Sequence, residues 1–153
     1  MNQDSRNVSP SPLSLTLVGI QFVLIGVIAL TGPLWPSGWI LRSILGVGGV
    51  VGVWALQIMG LRQVKVFPEV AAQGSLIILG PYRWVRHPMY TSVLLVTLAW
   101  TLGNPLTYRI FLLLGLLITL LIKLQYEERL LMERYSAYEA YRRQTKRLIP
   151  FVW

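Results

Sequence analysis

Residues 13–31 read LSLTLVGIQFVLIGVIALT, nineteen positions without one charged side chain. At 1.5 Å per residue a helix of that length is about 28 Å long, close to the ~30 Å hydrocarbon thickness of a bilayer. The stretch therefore predicts a transmembrane helix. It is longer than the apolar region of a signal peptide, and no small-x-small cleavage site follows, so it is expected to be retained. Upstream, residues 1–12 (MNQDSRNVSPSP) have the composition of a short flexible tail. Downstream, GPLWPSGW (residues 32–39) is a turn whose Trp35 and Trp39 suit the headgroup boundary. A second apolar run then extends from about Ile40 to Met59, with Arg42 close enough to its start to snorkel.

The whole chain has the same character. Of 153 residues 54% are hydrophobic and 13% charged, where a soluble domain carries roughly a quarter charged. This excludes disorder and argues for apolar segments in lipid. The net charge of +8 would suggest nucleic acid if the basic residues lay on a polar domain. They flank apolar runs instead, which is the pattern of cytoplasmic loops on anionic headgroups, so no nucleic-acid partner is expected. The absence of cysteine excludes disulfides, thiolate catalysis and Cys-ligated metal, and a single histidine, His87, excludes a multi-His metal site.

Within the second run, the glycines of GVGGVVG (residues 46–52) miss the G-x-G-x-x-G spacing of a dinucleotide fingerprint. Gly48-x-x-x-Gly52 reads instead as a helix-packing face, its partner being the first helix or another copy of the chain. The oligomeric state stays open. Residues 61–88 are polar and punctuated by Gly and Pro, too long for a simple connector and so a candidate functional segment. A third apolar run, Met89 to about Leu102, is short for a bilayer. The turn Gly103–Pro105 leads into a fourth, Leu106 to about Leu124, predicting a helical hairpin. In the charged, Tyr-rich remainder, residues 125–153, the spacing of Leu131, Tyr135, Tyr138 and Tyr141 predicts an amphipathic helix on the membrane surface, with a solvated basic tail as the alternative.

The expected architecture is an all-α integral membrane protein with about four transmembrane helices, the last two a hairpin, and a C-terminal amphipathic interfacial helix. Residues 13–153 form one membrane domain, with two helices in 13–60 and the functional region in 61–153. Lys and Arg gather in residues 61–88 and at the C-terminus, while the first turn has none and the hairpin tip only Arg109, so both termini are expected in the cytoplasm.

Two polar constellations stand out. In GPYRWVRHPMY (residues 80–90), Gly-Pro makes a turn and Pro88 suits the first turn of a helix. Free N–H groups at that helix start, with Arg83 and Arg86, would receive a carboxylate, unless the arginines merely anchor on headgroups. At the end of the fourth run, Lys123 shares a helix face with Glu127, beside Glu128. These form either a simple i,i+4 ion pair or a site in which Glu127 holds a cationic group.

GPYRWVRHPMY followed, after one hairpin, by EERLLMERYSAYEAYRR and Arg147-x-x-Pro150 resembles the isoprenylcysteine carboxyl methyltransferase family and its phospholipid methyltransferase relatives. The resemblance covers roughly residues 72–153. Shorter than the eukaryotic enzymes, the chain looks like a compact prokaryotic member, expected in the inner membrane. The resemblance implies an intramembrane methyltransferase using S-adenosyl-L-methionine, with Arg86, His87 and Glu127 in catalysis. Leu76, Ile77, Tyr82, His87, Pro88, Met89, Tyr90 and Glu127 would line the cofactor pocket, within a looser match at Gly74–Ile77. Lys123 falls where the prenylcysteine enzymes place a substrate-binding Arg; a Lys keeps the charge but loses the bidentate fork. The implied partners are the bilayer and a lipophilic acceptor, through carboxyl O-methylation or, alternatively, N-methylation of a phospholipid headgroup. The Arg-His turn also resembles that of membrane sterol reductases using NADPH, and a non-catalytic scaffold is the remaining alternative.

Overall fold

Ser11 and Pro12 start the first helix, and the reason is local. In the computed structural model, which describes residues 10–60, 67–68 and 76–150, Ser11 Oγ accepts the Ser14 N–H at 3.2 Å. Pro12 occupies the first turn, where a missing N–H does no harm. Helix α1 is Pro12–Leu30 and α2 is Trp39–Met59, the latter set between Gly38 and Gly60. A four-residue 3-10 turn at Gly80–Arg83 precedes α3 (Pro88–Gly103), which has His87 as its cap residue and Pro88 in its first turn. The turn at Gly103–Pro105 leads to α4 (Thr107–Arg134) and then to the short α5 (Tyr138–Gln144). Ser11 caps α1 and Pro12 is its first residue, one position before the apolar run begins. Residues 1–9, most of the connector 61–75 with Gly74 and Ser75, and residues 151–153 lie outside the described residues.

Helices α1, α2 and α4 are each long and apolar enough to cross a membrane, and α3 is a shorter apolar helix of 16 residues. At 1.5 Å per residue α3 reaches about 24 Å, the short first arm that the sequence predicts. Helix α4 differs from expectation at its end. It runs unbroken through 28 residues, about 42 Å, because EERLLMER (residues 127–134) consists of good helix formers. Its last turns thus extend roughly 12 Å beyond a ~30 Å hydrocarbon layer and carry Glu127 and Glu128 with them. The C-terminal helix is correspondingly only seven residues long. Leu131 lies in α4, Tyr135 caps it, and Tyr138 and Tyr141 lie in α5, so the four do not share one helix face.

Packing pairs α2 with α3 and α1 with α4, while α3 also touches α1 and α4. Gly48 and Gly52 let α2 approach α3 closely. A Cβ at Gly48 would sit 3.0 Å from Leu95 Cβ and 3.2 Å from the Val96 nitrogen, and one at Gly52 would sit 2.5 Å from Ser92 Oγ. Ser92 Oγ donates to the Gly48 carbonyl at 2.7 Å. The glycine face is therefore occupied by α3, neither of the two partners expected for it. Ile28, Leu116 and Leu120 form the buried centre, wrapped by Leu24, Tyr90, Val93 and Leu112 among others. Outward, Phe22, Val23, Val50, Phe111 and Ile118 stay exposed, an apolar surface suited to lipid. At the end of the bundle away from the N-terminus, the fully buried Arg109 donates to Thr31 Oγ1 at 3.1 Å and to the Trp100 carbonyl at 2.6 Å. Its guanidinium fills the space a side chain on Gly32 would need.

Candidate functional site

The segment Gly80–His87 is bent by one residue that must be glycine. Gly80 has φ of +60°, and a Cβ there would meet Ile58 Cγ1 at 2.7 Å. The turn is thereby seated on the end of α2, where the Trp54 and Trp84 rings meet edge to face at 5.7 Å.

From the other side the chain returns after α5 and runs parallel to the turn. Arg86 N–H donates to the Lys146 carbonyl at 2.8 Å, His87 N–H to the Arg147 carbonyl at 3.2 Å, and Lys146 N–H to the Trp84 carbonyl at 3.1 Å. Thr91 Oγ1 adds a bond to the Leu148 carbonyl at 2.7 Å. This return changes the expected anion site at the start of α3. The Tyr90 and Thr91 N–H groups bond the His87 carbonyl, so in that first turn the Met89 N–H is the backbone donor without a partner among the described residues.

Arg86 is buried and engaged by the protein. Its Nε donates to Glu128 Oε1 at 2.7 Å, and its Nη1 donates to the Arg142 carbonyl at 3.1 Å and to the Thr145 carbonyl. Glu128 Oε2 lies 3.4 Å from Arg147 Nε. Two guanidinium groups thus converge on one carboxylate, tying the turn, α4 and the C-terminal return together.

Glu127, one residue earlier, is placed differently. Its Oε2 accepts the Tyr90 hydroxyl at 2.9 Å and lies 3.7 Å from His87 Nδ1, and its side chain keeps 18% of its exposure. Among the described residues no protein cation neutralises it at hydrogen-bonding distance. The His87 ring stacks on Tyr90 at 5.4 Å, nearly parallel, with Nε2 3.6 Å from Glu128 Oε1. Among the described residues His87 Nε2, Tyr82 Oη and Tyr138 Oη are buried without a hydrogen-bond partner. Burial, reinforced by the Glu127 carboxylate, holds the Tyr82 phenol well above its ordinary 10; burial also pushes Tyr141 up to about 12. Both phenols are therefore neutral donors near neutral pH. Tyr141 donates to the Tyr82 carbonyl at 2.7 Å.

Lys123 does not pair with Glu127. Its Nζ donates to Gln21 Oε1 at 2.7 Å and lies 5.4 Å from the centre of the Tyr90 ring. The structure thus gathers Tyr82, Arg86, His87, Tyr90, Lys123 and Glu127 at one end of the bundle, with Pro88 and Met89 in the first turn of α3. Leu76 and Ile77 are half-buried in the irregular lead-in to the turn and add no polar group to the cluster. Glu128, read beside Glu127 in the sequence, and Arg147 of the Arg-x-x-Pro motif join it as an ion pair, and Gln21 joins it without having been singled out. Gln21 carries a legible signal, an amide inside an uncharged transmembrane run.

Together these features define a helical membrane protein with a buried histidine, tyrosine and carboxylate cluster at one end. Over residues 36–138, more than half of the chain, the sequence matches the phospholipid methyltransferase family. The chain belongs to the phospholipid methyltransferase family, and so is a membrane methyltransferase acting on lipid-like substrates. No curated protein matches the chain. The matched region takes in α2 through α4, wider at its N-terminal side than the resemblance beginning near residue 72. Helix α1 and the C-terminal return lie outside it.

Proposed function

We propose that the chain transfers a methyl group from S-adenosylmethionine to the carboxylate of a lipid-like acceptor, as the isoprenylcysteine carboxyl methyltransferase resemblance implies. One observation carries the reading: of two adjacent acids, Glu128 is neutralised by Arg86 and Arg147, whereas among the described residues Glu127 has Tyr90 and His87 within 4 Å and no arginine or lysine. A carboxylate left without a protein cation suits a cationic ligand. The unpartnered Tyr82 Oη, His87 Nε2 and Tyr138 Oη offer further polar contacts, so the residues present fit an amino-acid-bearing cofactor.

S-adenosylmethionine supplies an electrophilic methyl on a sulfonium. Glu127 would take its ammonium group, while His87 and the Met89 N–H face its carboxylate. Tyr82 and Tyr90 offer ring faces, and Leu76, Ile77, Pro88 and Met89 offer apolar walls. A carboxylate acceptor needs no general base, in keeping with phenols held protonated. Rate enhancement then rests on positioning and charge placement, with Lys123 holding the acceptor. Arg86, its donors used by Glu128 and two carbonyls, acts as a positioning residue.

N-methylation of a phospholipid headgroup is the second reading, favoured by the family description itself. Incubation of membranes holding the chain with methyl-labelled S-adenosylmethionine, followed by mild alkali on the extracted lipid, separates the two. Label released as methanol supports carboxyl methylation, and alkali-stable label supports the phospholipid amine. The basic end of the bundle supports placing both termini in the cytoplasm, and the resemblance to a compact prokaryotic member carries the proposal of an inner membrane.

A further inference from the structure

Helix α1 carries no charged residue and one amide, Gln21, which is buried at 7% exposure. That amide meets Lys123, itself only 2% exposed, through the 2.7 Å bond from Nζ to Oε1. Lys123 Nζ also faces the Tyr90 ring, whose hydroxyl bonds Glu127. A buried ammonium is usually matched by a carboxylate, because an isolated charge in a low-dielectric interior is unfavourable. Here the acid one turn away, Glu127, is turned to Tyr90 and His87, and an uncharged amide takes its place. An amide oxygen orients the ammonium without cancelling its charge.

We propose that Gln21 is a positioning residue of the site: its side-chain oxygen holds the Lys123 ammonium beside Tyr90, leaving that positive charge for the anionic end, carboxylate or phosphate, of the lipid acceptor. This rests on the methyltransferase reading above. It makes α1, which lies outside the family-matched region, a part of the acceptor side rather than an anchor alone. It also explains why a glutamate, which would bind Lys123 more strongly, would be unsuitable at position 21: the ion pair would close the charge to any ligand.

The test uses the full chain in detergent, as wild type, Gln21→Glu and Gln21→Leu. Each is titrated with oleate, oleyl phosphate and oleyl alcohol, and separately with S-adenosylhomocysteine. The wild type is expected to bind at least one anionic probe tenfold or more tightly than the alcohol. Preference for oleate identifies carboxylate recognition, and preference for oleyl phosphate identifies phosphate recognition. Both variants are expected to lose that preference by tenfold or more while binding S-adenosylhomocysteine within about twofold of wild type. A merely structural contact needs only an oxygen at position 21, so Gln21→Glu with full anion preference overturns the proposal, as does a wild type that does not distinguish anion from alcohol. Should Gln21→Leu fail to fold, Gln21→Glu decides alone. Failure of the wild type to bind S-adenosylhomocysteine overturns the methyltransferase reading instead, and the two failures are read from separate titrations.

Discussion

Glu127 and Glu128 are adjacent and chemically identical, yet their surroundings assign them different work. Glu128 lies under Arg86 and Arg147 and holds three segments together. Without Arg86, Glu128 keeps Arg147 at 3.4 Å, and the Arg142 and Thr145 carbonyls lose their buried donor, which costs about 1–3 kcal/mol. Arg86→Ala is therefore expected to lower unfolding stability in detergent by about that amount, with Arg86→Lys losing less; a denaturant titration followed by tryptophan fluorescence measures both. Equal stability of Arg86→Ala and wild type would show that the three segments hold without this pair. The sequence makes the acid pair and the Arg-His turn legible as a site, because polar residues beside an apolar run require a reason. Which acid is structural was not legible, since that depends on the C-terminal return bringing Arg147 across to α4. The Lys123–Glu127 spacing left an ion pair and a ligand site both open for a related reason: helical periodicity relates residues of one helix and says nothing of an amide on another.

At the scale of elements, apolar runs gave the starts of the helices within a few residues and the shortness of α3. The end of α4 was less legible. Hydropathy falls after Leu124, but helix propensity does not, and the helix follows propensity to Arg134. The glycine face on α2 was readable as a packing surface, while its partner depended on the topology. Gly48→Val places its Cβ 3.0 Å from Leu95 Cβ, against a helix that cannot move freely, whereas the space beside Gly46 is open. Gly48→Val is therefore expected to destabilise by about 1–3 kcal/mol, and Gly46→Val to be nearly neutral. Thermal unfolding of the pair checks this, and an equal response at both positions would contradict the α2–α3 contact.

For the whole molecule, the two ends of the bundle are chemically unlike. The end that carries the candidate site holds Arg83, Arg86, Arg134, Arg142, Arg143, Lys146 and Arg147; the other holds Arg42, bonded to the Pro36 carbonyl, and the buried Arg109. By the positive-inside rule, the proposed orientation puts the basic end in the cytoplasm. A chain without cysteine permits a direct check, since any introduced thiol is unique. Ser37→Cys and Ser136→Cys fall at exposed positions on opposite ends. In intact cells an impermeant maleimide is expected to label Ser37→Cys and to reach Ser136→Cys only after lysis. The reverse pattern would place the site on the outer face, away from a cytoplasmic cofactor.

Whether the cluster around His87 and Glu127 is a cofactor site is tested most directly by calorimetric titration of S-adenosylhomocysteine into detergent-purified protein. Wild type is expected to bind, and Glu127→Ala and His87→Ala each to weaken binding tenfold or more while remaining folded. A folded wild type that does not bind, or variants that bind as wild type does, would contradict a cofactor site there.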